Sequence, residues 1–215
     1  MKKLVFLIVF LILPLSAGAQ KYALKNNILG DVVAIPNLSF EFRIAPKWTI
    51  DLSATYNPFV WSGGNGLKTQ WSGAEMVEAG GWMLKHWVGQ PEVRYWTCEA
   101  FNGLFFGVHG MFGQHNITGV KMPPISFGGG DDGAGTLKAD VRYQGNFWGL
   151  GASVGHQWIL SDRWNIEASI GLGYVSMKHN EIDPKDHCNV YTEAPVNFSM
   201  IWLTKATLSI VYIIK

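Results

Sequence analysis

Apolar and polar residues alternate one for one along most of this chain. Trp48, Ile50, Leu52, Ala54 and Tyr56 share one parity, and Thr49, Asp51, Ser53, Thr55 and Asn57 share the other. Successive side chains of a strand point to opposite faces, so this segment is a strand with one apolar and one polar face. The same alternation runs through Leu38–Ile44, Trp164–Tyr174 and Lys205–Tyr212. A pass along the chain predicts eight strands, at about 24–35, 38–45, 48–60, 86–98, 103–118, 140–160, 164–179 and 196–214.

The connections constrain the arrangement further. Short turns stand at Ala45-Pro46-Lys47, Glu99–Asn102 and Ser161-Asp162-Arg163. Long loops are expected at about 61–85, 119–139 and 180–195, with one short connection at Ile35-Pro36-Asn37. After the second strand, short and long connections alternate. In an up-and-down sheet this gathers the long loops at one end and the turns and termini at the other. Barrels of the outer membrane have this plan, with short periplasmic turns and longer outer loops.

The N-terminus reads as an address. Met1-Lys2-Lys3 is basic, Leu4 to Leu15 is apolar apart from Pro14, and Ala17-Gly18-Ala19 fits a signal-peptidase site. Residues 1–19 are expected to be a secretory signal peptide cut near Ala19, leaving 20–215 as a barrel domain. The apolar run is too short for a helix spanning about 30 Å of hydrocarbon, which takes about 20 residues. No later apolar run is long enough either. That leaves a β-barrel open, because its strands are short and alternate.

Alternation alone does not say which face points inward. A soluble, lipocalin-like barrel would turn the apolar face in, and a membrane barrel turns it out. The signal peptide, the scarcity of charge (15% of residues) and the aromatic-rich apolar face favour the membrane. We therefore expect an all-β fold, an eight-stranded antiparallel up-and-down transmembrane barrel in the outer membrane. Two aromatic belts would flank its apolar band. One takes Trp48, Tyr95, Phe101, Trp158, Trp164 and Tyr212, and the other Tyr56, Trp61, Trp87 and Tyr174. The polar face then assigns Asp31, Glu41, Arg43, Asp51, Glu92, Arg94, Glu167 and Lys205 to the lumen. Charges in so narrow a space must pair, because an unpaired buried charge is costly. They form either a structural plug or a gated ion path. Glycines at 107, 149, 151, 155, 171 and 173 would give bulky neighbours room.

The chain resembles the Bacteroidetes family of small predicted outer-membrane β-barrels that carries a domain-of-unknown-function label, over about residues 23–215. The resemblance rests on Ala23–Asp31 with Pro36-Asn37, on Lys85–Glu99 with Phe101-Asn102-Gly103, and on Gly107-Val108-His109. Arg142-Tyr143, Gly171–Tyr174 and the closing Tyr212–Lys215 complete it. It implies an outer-membrane location and eight strands, with a plan similar to the barrel of outer membrane protein A. It implies no reaction, substrate or cofactor.

Chemistry-bearing residues are sparse. Lipid A-modifying barrels need His with Ser and an acid, yet none of the six histidines (86, 109, 115, 156, 179, 187) stands in a His-x-Ser pair. His109 is expected beside Glu92 or Arg94, and His156 toward lipid. His179, Asp183, Asp186, His187 and Cys188 match no tight zinc spacing, and Gly128–Gly135 is an irregular glycine–aspartate stretch. No metal or cofactor is expected. Cys98 and Cys188 fall at opposite ends of the plan, so no bridge is expected. A formal charge of +1 gives no case for nucleic acid.

The expected role is non-enzymatic, structural or surface-interacting, through loops carrying Trp61, Trp71, Met76, Trp82, Met122 and Phe127. The expected partners are outer-membrane lipid, the barrel-assembly machinery (to which the last strand, Lys205–Tyr212, is suited) and an unknown extracellular or cell-envelope protein. A small gated pore is the alternative, and a lipid A-modifying enzyme a more distant one.

Overall fold

The structure is a computed structural model, and it describes residues 22–62, 66–68, 82–118, 142–182 and 196–214. Its strands are β1 (Tyr22–Asn27), β2 (Asn37–Ala45), β3 (Trp48–Asn57), β4 (Val60–Ser62), β5 (Gly66–Lys68), β6 (Trp82–Trp96), β7 (Gly103–Thr118), β8 (Arg142–Ile159), β9 (Trp164–Ile182) and β10 (Val196–Ile214). One short helix, α1 (Ile28–Val32), follows β1.

Eight strands close into an antiparallel ring in the order β1-β2-β3-β6-β7-β8-β9-β10, with β10 pairing back onto β1. Closure leaves no free strand edge around the ring where the pairing is complete. The hairpin β4–β5 extends from β6 through the pairs Val60↔Met83 and Trp61↔Trp82. The three short turns and the ends of β1 and β10 lie together; we call this the turn end, and the opposite one the loop end.

Several expected boundaries are corrected. The first strand does not continue to residue 35. Ile28-Leu29 and Val32-Val33 repeat at helical rather than strand spacing, and Asn27 caps the resulting turn by accepting from Leu29 N at 3.2 Å. Asn37 locks the excursion: its Oδ1 accepts from Asn27 N at 2.6 Å, and its Nδ2 donates to Asn27 O at 2.9 Å. Ala34, at φ 56°, turns the chain back into β2. The third strand stops at Asn57, whose side chain accepts from Phe59 N at 3.1 Å in an Asx turn. The expected loop at 61–85 contains β4, β5 and the first residues of β6, which begins at Trp82 rather than residue 86.

The apolar face points outward. Val108 (67%), Leu150 (60%) and Leu172 (60%) are among the large apolar side chains left exposed along the wall. Their chain neighbours of opposite parity are less exposed: Gly107, His109, Gly149 and Gly171 are buried, and Gly151 and Gly173 half-buried. Inside the turn end, Ala23, Trp96, Ala100, Phe101, Phe105, Val211 and Ile213 pack into an apolar seal. Trp96 stands 4.8 Å from Phe105 and 6.1 Å from Phe101, centroid to centroid. The turn after β6 folds into the barrel mouth to complete the seal, with Ala100 N donating to Pro46 O at 3.0 Å.

Candidate functional site

The charged lumen is built strand by strand. Register places Glu41 opposite Asp51, and Asp51 opposite Glu92, so three carboxylates form one cross-strand row. Like charges in such a row repel, and cations must come from other rows. Arg94, two residues beyond Glu92 and on the same face, supplies the hub. Its Nε donates to Glu92 Oε2 at 2.7 Å, and its Nη2 to Asp51 Oδ2 at 2.5 Å. Its Nη1 serves Glu41 Oε2 at 2.9 Å and Glu167 Oε2 at 3.1 Å. A planar guanidinium with five donors in a fixed fork suits this role better than an ammonium. The guanidinium also lies 4.5 Å from the Phe105 ring centroid, resting on the apolar seal.

Two lysines complete the layer. Lys25 Nζ donates to Glu167 Oε2 at 2.6 Å and pairs with Glu41. Lys205 Nζ donates to Glu92 Oε2 at 2.5 Å. Hydroxyls take further carboxylate lone pairs: Ser39 donates to Asp51, Thr49 to Glu41 and Ser153 to Glu92. Thr49 Oγ1 in turn accepts from Trp96 Nε1 at 2.9 Å, tying the charge layer to the seal. Four carboxylates therefore face three cations, all within the buried class.

Lys205 reaches this layer because β10 is irregular between Leu203 and Lys205. A bulge inserts one residue and re-aims the side chains beyond it. Thr204 is the inserted residue, held from across the lumen. Its carbonyl accepts from Gln90 Nε2 at 3.2 Å, and its hydroxyl meets His109 Nε2 at 2.8 Å. Close packing needs Gly107: a Cβ there would run into Glu92 Oε1 and Ser153 Oγ. Above the charge layer lies a cavity of about 230 Å³ that touches Lys25, Asp51, Arg94, Glu167 and Lys205.

The structure thus brings Glu41, Asp51, Glu92, Arg94, Glu167 and Lys205 together. Two other charges assigned to the lumen are not in the cluster. Asp31 sits exposed on α1, where its Oδ1 accepts from Asn37 Nδ2 at 3.2 Å, because the strand it was assigned to ends at Asn27. Arg43 is half-buried at the turn end and pairs with Glu99 at 3.5 Å, beside the second bulge of the sheet. Sequence reasoning missed Lys25. Its signal was present, since Lys25 alternates with Leu24 and Asn26 and has the parity of Glu41's partner row. His109 lies in the lumen with Nδ1 at 3.9 Å from Glu92 Oε1. His156 packs its ring 4.6 Å from Trp158.

On the outer face, the turn-end aromatics pair. Trp48 stands 5.1 Å from Tyr95, and Trp164 4.9 Å from Tyr212, with Trp158 exposed nearby. Phe101 is not among them. It adopts a positive φ of 68°, a conformation sparsely allowed for a side-chain-bearing residue, and that turns its ring into the seal. Toward the loop end, Tyr56, Trp87 and Tyr174 are exposed. Phe112 and Trp148, missed in the sequence, join them: Phe112 is 6.0 Å from Trp87, and Trp148 is 6.0 Å from Tyr174. The side chain of Trp61 lies outside the described residues, as do residues 1–21, Trp71, Met76, Met122, Phe127, the 128–135 stretch, Asp183, Asp186, His187 and Cys188. Cys98 is an exposed free thiol.

A family model described as a protein of unknown function (DUF3575) matches residues 4–214. No curated protein sequence matches the chain. Among solved structures, the solution structure of E. coli outer membrane protein W is similar at a TM-score of 0.39 and 12% identity, over 91% of this chain and 98% of that one.

Proposed function

The chain belongs to the DUF3575 family, and we propose that it is a non-enzymatic barrel of the outer membrane whose loop end serves a structural or surface-interaction role. One observation carries this reading: the barrel is inside out relative to a water-soluble one. Its exposed wall is apolar and its charges are buried in the lumen. Hydrocarbon selects that inversion, together with a ring in which backbone donors and acceptors pair between strands. The paired aromatics at both ends of the wall fit the two interfaces of a bilayer. The short turns and chain ends would then lie in the periplasm and the loops outside. The barrel-assembly machinery would insert the chain, and its partner outside would be a surface or envelope protein.

The lumen supports a closed rather than conducting barrel. An ion entering from the loop end meets the charge layer and then the apolar seal, with Trp96, Phe101 and Phe105 at 0% exposure. The cavity above the charge layer favours one second reading, a pore gated at that layer. Purified outer membranes run on SDS gels with and without boiling test the first reading, which expects a mobility shift on boiling. Recovery in the soluble periplasmic fraction with no shift would overturn it. Planar-bilayer recording separates the two readings: the closed barrel expects no unitary steps from protein that shows the gel shift, and reproducible steps whose amplitude or ion selectivity changes in a Lys205→Gln variant that still shows the shift would establish the gated pore.

A further inference from the structure

Resting on the membrane reading above, we propose that the loop end of the outer wall binds the phosphorylated sugar headgroup of an outer-leaflet glycolipid. The wall changes character there. Between the turn-end aromatics and the aromatic row of Trp87, Phe112, Trp148 and Tyr174, the outward side chains of β7, β8 and β9 are apolar apart from His156, which packs on Trp158. Beyond that row the outward positions of β7, β8 and β9 become amides and cations. Register aligns Trp87, Gln114, Asn146 and Lys178 in one cross-strand row. It aligns Lys85, Asn116, Gln144 and Asn180 in the next.

A groove of about 560 Å³ runs across this patch, with Lys85, Gln114, Asn116, Gln144 and Asn146 on its lining and the Tyr56 and Trp87 rings beside them. His86, His115 and Gly145 lie between those outward residues in the chain and also line it, which places strand backbone on its floor. Strands are spaced about 4.8 Å apart, so three of them present a surface about 10 Å wide, the scale of a disaccharide.

The polarity of the groove selects an acceptor-rich, anionic ligand. Gln114 Oε1 accepts from Trp87 Nε1 at 3.0 Å, and Asn116 Oδ1 accepts from Arg142 Nε at 2.8 Å. With an oxygen of each already accepting, the NH2 groups of these two groove-lining amides are left as donors. Lys85 lines it, and Arg142 and Lys178 are outward-facing neighbours. Among the described side chains, the outer face of the strands carries no carboxylate: Asp31 is on α1, Glu99 and Asp162 are in turns, and the others are in the lumen. Donors and cations together match phosphate oxygens and sugar hydroxyls. Depth selects a lipid rather than a free sugar phosphate. The groove begins where the apolar wall ends, so acyl chains lying along Val108 and Leu150 would place a headgroup in it. Basic pockets at this level are known places for lipid headgroups.

The test uses the full protein folded in detergent micelles and native mass spectrometry. It is offered diphosphoryl lipid A, the same lipid stripped of its phosphates, and phosphatidylglycerol. The wild type is expected to retain diphosphoryl lipid A and to lose it about a hundredfold more readily in the K85Q/R142Q/K178Q variant, at about fivefold per cation. The stripped lipid and phosphatidylglycerol should bind the wild type about as weakly as the variant binds lipid A. Equal retention by wild type and variant, or phosphatidylglycerol held as tightly as lipid A, would overturn the proposal. The boiling-dependent gel shift, measured on each sample, reports folding separately. If the triple variant fails to shift, K85Q alone with its fivefold loss carries the test, and undiminished retention overturns the proposal. A wild type that never shifts defeats the membrane reading itself; a wild type that shifts but retains no lipid A defeats this inference alone.

Discussion

The two halves of the barrel place their charge on opposite sides of the wall. In the turn-end half, Lys25, Glu41, Asp51, Glu92, Arg94, Glu167 and Lys205 all point inward, and the outer face is apolar. In the loop-end half, Lys85, Arg142 and Lys178 point outward, while Met83, Ile117, Tyr143 and Phe147 are buried. The same alternation runs through both halves, so the reversal comes from residue choice and not from a register change. On the membrane reading this half of the outer face meets hydrocarbon, and charge is placed inside as a mutually paired cluster of four carboxylates and three cations. Beyond the aromatic row charge moves to the outer face, where the proposed membrane placement would have it meet headgroups and water. The Trp87–Phe112 and Trp148–Tyr174 pairs mark the change.

The largest effect is expected where the turn-end cluster loses its hub. Arg94→Leu leaves four buried carboxylates facing two lysines. Breaking a buried ion pair by removing one partner costs about 3–5 kcal/mol, because the remaining charge stays buried and uncompensated. Urea unfolding in lipid vesicles, followed by the gel shift, should show the unfolding free energy falling by that amount, with a lower midpoint, or the barrel failing to assemble. A midpoint unchanged from wild type would mean that solvation by water, and not Arg94, stabilises the carboxylates of the layer.

The next effect probes the outer face at mid-wall. Val108 is exposed between Val93 and Ala152 on the neighbouring strands. Val108→Arg is expected to cost about 2–4 kcal/mol, the value for a cation facing the bilayer midplane. In a water-soluble barrel the same change would cost next to nothing. The unfolding midpoint of V108R therefore tests the inversion directly, independently of the lumen.

Much of this comparison was legible in the sequence, and the exceptions have physical causes. Period-two alternation identified the strands and the residues that share a face, because side-chain direction in a strand is fixed by the backbone; the export signal, the scarcity of charge and the aromatic-rich apolar face said which of the two points inward. It failed at Asp31, where Asn27 caps a turn of helix and cancels the parity that would have carried the carboxylate inward. It failed at Phe101, where a positive φ redirects a ring that spacing assigned to the belt. Lys25 was readable from parity and was left out of the expected lumen charges. The hub role of Arg94 was not readable, because it depends on which rows face one another across the lumen. The outward cations at the loop end alternate like any strand residues, and only register shows that Lys85, Asn116, Gln144 and Asn180 share a row.

A smaller effect tests how tightly the turn-end half is filled. A side chain at Gly107 would meet the Glu92 carboxylate and the Ser153 hydroxyl. Gly107→Val is expected to cost about 1–3 kcal/mol, the usual penalty for overpacking. Ser153→Ala combined with it should recover part of the loss by opening one side of the clash, and equal midpoints for the single and double variants would place the crowding elsewhere.

The smallest effect completes the comparison at the loop end. Gln114 shares Val108's strand and outward parity, three alternations further along, and stands beside Trp87 and Asn146 in register. If the aromatic row marks the edge of the hydrocarbon, Gln114→Arg places its cation among headgroups, where the cost falls to about 0–1 kcal/mol. The same substitution on the same strand should therefore be severe at Val108 and nearly silent at Gln114. Side-by-side midpoints for V108R and Q114R decide the matter. Equal penalties at both positions would move the boundary outward past Gln114, and would leave the amide-lined groove inside the hydrocarbon, where its donors would have no headgroup to serve.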